Sequence, residues 1–181
     1  MQNSGTHSGT LQIKTMDITG LLQKNIFVYK SLLEDIQPEL ITWRPRPDKW
    51  CLLEIVCHLC DEEQLDFRFR TQWVLEQPNV LPPPFNPLDW VKDHKYMEQD
   101  YNIMVKKLLA EREASIQWLS ELKKPNWGSS YNNPKSGRTT AQHYLDNWLA
   151  HDYLHIRQII KQKFDFLNSQ TSERLEYAGI W

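Results

Sequence analysis

The stretch TTAQHYLDNWLAHDYLHIRQIIKQKFDF, residues 139–166, contains neither proline nor glycine, and its apolar residues recur at helical rather than alternating spacing. Thr139-Thr140-Ala141-Gln142 has capping-box spacing, which marks where the helix starts. At about 100° per residue, Trp148, His151, His155 and Ile159 fall within roughly 80° of arc. Two histidines one turn apart therefore belong to the stripe that a helix buries.

Working outward, the ten prolines and most of the glycines separate three further tracts, at about 17–37, 48–77 and 87–124. Each has a plausible helix start. Asp17 and Asp48 are candidate caps for the first two, and Asn86-Pro87-Leu88-Asp89 places Asn at a cap, Pro at the first helical position and an acid in the first turn. In the first tract Ile18, Leu22, Ile26, Tyr29, Leu33 and Ile36 repeat at helical spacing. No tract alternates as a strand does, so the spacing predicts an all-α four-helix bundle whose connections, 38–47, 78–86 and 125–138, are loops inside one domain. Residues 1–14 read as a flexible polar tail and 15–181 as one domain. A C-terminal tail from about residue 167 ends in Tyr177, Ile180 and Trp181, apolar enough to dock on the bundle or on a partner.

Composition narrows the function. The 181 residues carry a formal net charge of -2, with 40% hydrophobic and 12% aromatic content and eight tryptophans. That is enough apolar mass for a core, and it offers no broad basic surface for nucleic acid. No apolar run is long enough to span a bilayer, which predicts no membrane partner. The three cysteines, Cys51, Cys57 and Cys60, crowd into ten residues and form no disulfide framework, so a reducing, cytoplasmic setting is expected.

The chemistry concentrates on His58, His151 and His155. In the second tract Ile55, His58, Leu65 and Phe69 share about 80° of arc, with Glu62 among them and Glu54 beside, so His58 also faces the core. Inward imidazoles need partners, and a divalent ion satisfies several at once in their neutral form. Spacing alone leaves two readings open, an ion or a hydrogen-bonded core cluster. If an ion binds, three protein ligands leave coordination positions free, the pattern of a catalytic rather than a structural zinc site. Glu62, Asp61, Glu54 and Asp152 are candidates for orienting an imidazole or accepting a proton, with the division of labour undecided. His143 reads as a surface or cap residue, and His94 and His7 as solvated. Cys57-His58-Leu59-Cys60 lacks a second cysteine pair for a four-sulfur zinc site. The charged run Lys106, Lys107, Glu111, Arg112, Glu113 reads as a wet helix face, and the tryptophans as packing groups.

Two stretches also carry a resemblance. WRPRPDKWCLLEIVCHLCDEE, residues 43–63, resembles the first signature of the DinB/YfiT-like superfamily, and HDYLHIRQI, residues 151–159, its closing motif, in the right order with a long tract between. The resemblance covers about residues 17–166. It implies a four-helix bundle, commonly a homodimer, with a divalent ion such as nickel or zinc held by three histidines, by position His58, His151 and His155. It implies further that a small electrophilic substrate meets a low-molecular-weight thiol cosubstrate such as bacillithiol, mycothiol or glutathione in a thiol S-transferase reaction. Other relatives are isomerases or hydrolases, so a hydrolase using metal-bound water and a non-catalytic, metal-stabilised binding protein are the alternatives. Cys51 stands where a helix-capping Ser is common, and the proline-rich 78–87 connection looks particular to this chain.

Overall fold

The computed structural model describes residues 16–84 and 86–180. The expected flexible tail at 1–14, with His7, and the terminal Trp181 lie outside the described residues. Four long helical segments dominate, and they correspond to the four tracts.

The first is α1, Ile18–Leu33, capped by Asp17, whose Oδ1 accepts from the Gly20 amide at 2.9 Å. It stops four residues before the predicted end, and a short α2, Pro38–Thr42, follows with Pro38 at its start. The second segment begins as α3, Leu52–Asp61, passes without a break through a π-helical stretch, Glu62–Arg68, and ends as α4, Phe69–Glu76. Its cap is Cys51, not the predicted Asp48. Glu54 Oε2 accepts from the Cys51 amide at 2.8 Å, whereas Asp48 sits in the preceding loop beside Arg46 and Lys49.

The third tract is interrupted. Asn86 caps α5, Pro87–Asp93, through its side-chain contact to the Leu88 amide. The chain then turns through Lys95, at a positive φ of 49°, and a 3-10 turn at Tyr96–Glu98. Asp100 caps α6, Tyr101–Glu121, by accepting from the Ile103 amide at 2.9 Å. The fourth segment is α7, Ala141–Gln170, capped by Thr140, one residue later than the capping-box reading and four residues longer than the tract.

The 125–138 connection is more ordered than a loop. Ser130–Asn133 (β1) pairs antiparallel with Gly137–Thr140 (β2), and Gly137 at φ 77° supplies the turn that an L-side chain resists. Tyr131 on β1 packs with Val74 and Ala141.

The bundle is not wound in simple sequence order. α1 packs on α6 and α7, and the α3-to-α4 segment packs on the same two helices. α1 and the second segment therefore stand diagonally, as do α6 and α7. One core cluster gathers Leu52, Ile55, Val56 and Leu59 of α3 with Tyr29 and Leu33 of α1 and Leu108 of α6. A second centres on Trp148, whose ring stacks on Phe67 with centroids 5.9 Å apart. At the far end Tyr177 and Ile180 are exposed, not docked on the bundle. No helix among the described residues is long and apolar enough to cross a membrane.

The π turn explains one departure from the helical wheel. A π turn takes up about one more residue than an α turn, so everything beyond it is rotated relative to a continuous α-helix. Leu65 and Phe69, predicted to share the inward face with His58, are both 38% exposed, and Phe67, Thr71 and Val74 point inward instead.

Candidate metal centre

His58 comes from α3, and His151 and His155 come from successive turns of α7. One potential ligand atom on each lies within 4.8 Å of those on the other two. The Nε2 atoms of His151 and His155 are 3.1 Å apart, and the His58 ring centroid lies 5.5 Å from that of His151 and 5.0 Å from that of His155. The sequence-predicted trio is thus brought together by two helices that are distant in the chain.

Burial sets the protonation. Desolvation, reinforced by His155, lowers the pKa of His58 to about 3, and desolvation with the other two histidines lowers that of His151 to about 2. Burial lowers His155 as well. All three are therefore neutral imidazoles near pH 7, the form that ligates metals. Nδ1 of His58 and Nδ1 of His155 are buried without a hydrogen-bonding partner of acceptable geometry. Two of the three rings thus carry a buried nitrogen without a partner, while the His151 and His155 Nε2 atoms lie at hydrogen-bonding distance from each other, so the cluster is only partly satisfied from within.

The donor set also passes a distance test. Nitrogens on a tetrahedral ion at about 2.05 Å lie about 3.4 Å apart. The α7 pair, at 3.1 Å, is slightly closer than that, and His58, whose ligand atom lies within 4.8 Å of theirs, needs to approach by up to about 1.4 Å. The ring walls are aromatic: Trp50 meets His58 edge-on at 4.9 Å between centroids, and Phe67 lies 5.0 Å from His151.

The four predicted carboxylates separate. Glu62, one turn beyond His58, holds Oε1 3.8 Å from His58 Nδ1 and stays with the cluster. Desolvation and the adjacent Asp66 push its pKa up to about 8, while Asp66 is paired with Arg70 at 2.6 Å. Asp61 turns away, where Oδ2 accepts from Tyr96 Oη at 2.7 Å and meets His94 Nδ1 at 2.7 Å. His94 is accordingly partnered rather than simply solvated. Glu54 serves the α3 cap and pairs with Arg44 at 2.5 Å. His143 is an exposed residue of the first α7 turn, its amide capped by Thr140.

Asp152 lies between the two α7 histidines in sequence but faces the centre of the bundle. Arg112 of α6 grips both of its oxygens, Nη1 to Oδ2 at 2.6 Å and Nη2 to Oδ1 at 2.7 Å, and Asn25 and Tyr29 of α1 add 2.7 and 3.0 Å hydrogen bonds. Arg112 Nε also donates to Glu63 at 2.9 Å, and Trp148 Nε1 to the same oxygen at 2.8 Å. Arg112 is 2% exposed, so the charged run on α6 is not wholly a wet face. The missed signal was its phase: Leu108, Arg112, Ser115 and Leu119 follow one helical stripe. Glu63 and Tyr96 carried no comparable signal.

A bundle with an open cluster of three neutral imidazoles across two helices defines a class of candidate metalloproteins. The sequence model of the DinB superfamily matches residues 22–159, and the chain belongs to that superfamily. Among solved structures it resembles YfiT from Bacillus subtilis, described as a probable metal-dependent hydrolase with an unusual four-helix bundle topology. The TM-score is 0.73 at 15% identity, over 90% of this chain and 93% of that one. No curated protein sequence matches the chain.

Proposed function

We propose that the protein is a metal-dependent enzyme that activates a small nucleophile for attack on an electrophilic small molecule. His58, His151 and His155 would hold one divalent ion, nickel or zinc. The observation that carries this reading is the meeting of three neutral imidazoles, one buried and two half-buried, two with unpartnered nitrogens, with ligand atoms within 4.8 Å of one another. A divalent ion held by three protein ligands supplies Lewis acidity at its open positions and lowers the pKa of a bound water or thiol.

The chain's own residues supply the rest. Glu62 is the acid group beside the cluster, and its Oε1 is the atom placed to take up a proton. Burial disfavours its ionised form, and a neighbouring cation would favour it. Trp50 and Phe67 shield the imidazoles from water and restrict their rotation. The nucleophile on this reading is a low-molecular-weight thiol, giving S-transfer, or water, giving hydrolysis. YfiT's description favours the hydrolytic form.

Metal content of tag-free protein purified without chelator, beside His155→Ala, tests the site. About one ion per chain, lost in the variant, is expected. Thiol consumption with a reactive electrophile and ester or amide cleavage then separate the two chemistries. Absence of any ion, with none taken up from nickel or zinc, would overturn the proposal and leave a satisfied histidine core in a binding protein.

A further inference from the structure

The histidine cluster lies beside two surface cavities, and both have a consistent chemical character. One, of about 590 Å³, runs between the 43–50 loop and the C-terminal half of α7, with Trp43 and Trp50 among its walls. The other, of about 550 Å³, is lined by His155 itself with Arg157. Gln158 and Lys161 line both, so the two adjoin along one face of α7. Trp50 is the hinge of the arrangement: it lines the larger cavity and touches the His58 ring. A ligand resting on Trp50 is therefore one ring away from the imidazoles.

The indoles are fixed platforms. Trp43 packs edge-on against Phe166 at 5.4 Å, and its carbonyl accepts from Gln162 Nε2 at 2.9 Å. Around them stand four cations, Arg46, Lys49, Arg157 and Lys161. Two acids offset them: Asp165 pairs with Lys161, and Asp48 lies 3.3 Å from Arg46 and 3.6 Å from Lys49. The face is thus net positive in a chain whose formal charge is -2. A low-dielectric cleft lined with one sign of charge concentrates ligands of the other sign, and each cavity has the size of a small-molecule site.

We infer that the larger cavity is the substrate site of the histidine centre and that it takes a small molecule combining a flat apolar body, stacked on Trp43 and Trp50, with a carboxylate or phosphate facing Arg46 and Lys49. The inference rests on the proposed metal-dependent activity for its meaning, yet the binding site itself does not require the ion. It gives that activity a substrate class, an anionic aromatic or similarly planar compound.

The test compares 2-naphthoate with its uncharged isostere 2-naphthamide by isothermal titration calorimetry and saturation-transfer NMR. It uses chelator-treated wild type, the nickel-loaded protein and the double variant Arg46→Ala/Lys49→Ala, whose side chains are exposed and pair, among the described residues, only with Asp48 on the surface, with circular dichroism to check that the variant is folded. Naphthoate should bind metal-free protein at least about fivefold more tightly than naphthamide, and the double variant should remove most of that preference. Raising the salt should weaken naphthoate selectively. Equal binding of the two probes, no binding of either, or naphthoate binding that needs nickel and ignores the double substitution would each overturn the inference. Naphthoate preference in a protein that takes up no metal would instead sustain the cavity and overturn the metal proposal.

Discussion

Replacing Arg112 with methionine tests the interior of the bundle most severely. In the native protein the guanidinium makes two hydrogen bonds to Asp152, at 2.6 and 2.7 Å, and one to Glu63 at 2.9 Å, with all three residues 2% exposed or less. Methionine fills most of the volume but leaves two carboxylates in the core without a counter-charge. Breaking a buried pair in this way costs about 3–5 kcal/mol, a large share of the roughly 5–15 kcal/mol that holds an ordinary domain together. At about 2–4 °C per kcal/mol for a chain of this size, the melting temperature should fall by roughly 6–20 °C. Urea denaturation followed by circular dichroism measures the loss directly. Arg112→Met/Asp152→Asn should cost less than the sum of its parts, because Asn25 and Tyr29 still face a neutral side chain at 152. A loss below about 1 kcal/mol for the single variant would refute the argument and mean that water reaches the carboxylates.

Three further outcomes are expected. Metal-free protein should lose stability as pH falls below about 6.5: the unfolded state takes up protons on His58 and His151 there, whereas the folded state does so only near pH 3 and 2. The slope should reach about 1.4 kcal/mol per pH unit for each such histidine, and urea midpoints that do not change between pH 7 and 5 would contradict it. Glu62→Gln should keep the ion, measured by metal analysis, and lower turnover about 100-fold or more, as loss of a general base does; undiminished turnover would remove Glu62 from the chemistry. Asp61→Asn, which loses the charge that Tyr96 and His94 share, should cost about 1.5–3 kcal/mol in urea denaturation, and a neutral result would show that the α5–α6 connection is not anchored there.

Much of this architecture was legible in the sequence, because prolines, caps and helical spacing are local signals. Asp17, Asn86 and the 139–142 run each placed a helix start within a residue or so, and the three histidines were selected by angle on two separate wheels. What escaped was set by non-local geometry. The π turn is invisible to a wheel drawn at a constant 100° per residue, so Leu65 and Phe69 were assigned the wrong face. Asp152 and Asp61 were placed near the histidines by their position in the chain, yet Arg112 and Tyr96, supplied by other segments, decide where their carboxylates point. The β1–β2 hairpin was missed because its four-residue strands are too short and polar to alternate visibly.

The diagonal placement of successive helices also bears on how the chain reaches its folded state. In an up-down bundle each helix can zip against the one just made, so most contacts close small loops. Here, of the three consecutive pairs of long helices, only the second segment and α6 are neighbours. α1 must wait for α6 and α7, and the α3 histidine meets its partners only when the last helix arrives. Every other pairing among the long segments closes a long loop, whose entropy is lost before any contact compensates it. The chain should therefore refold more slowly than a simply wound bundle of equal length, with the histidine cluster among the last features to assemble.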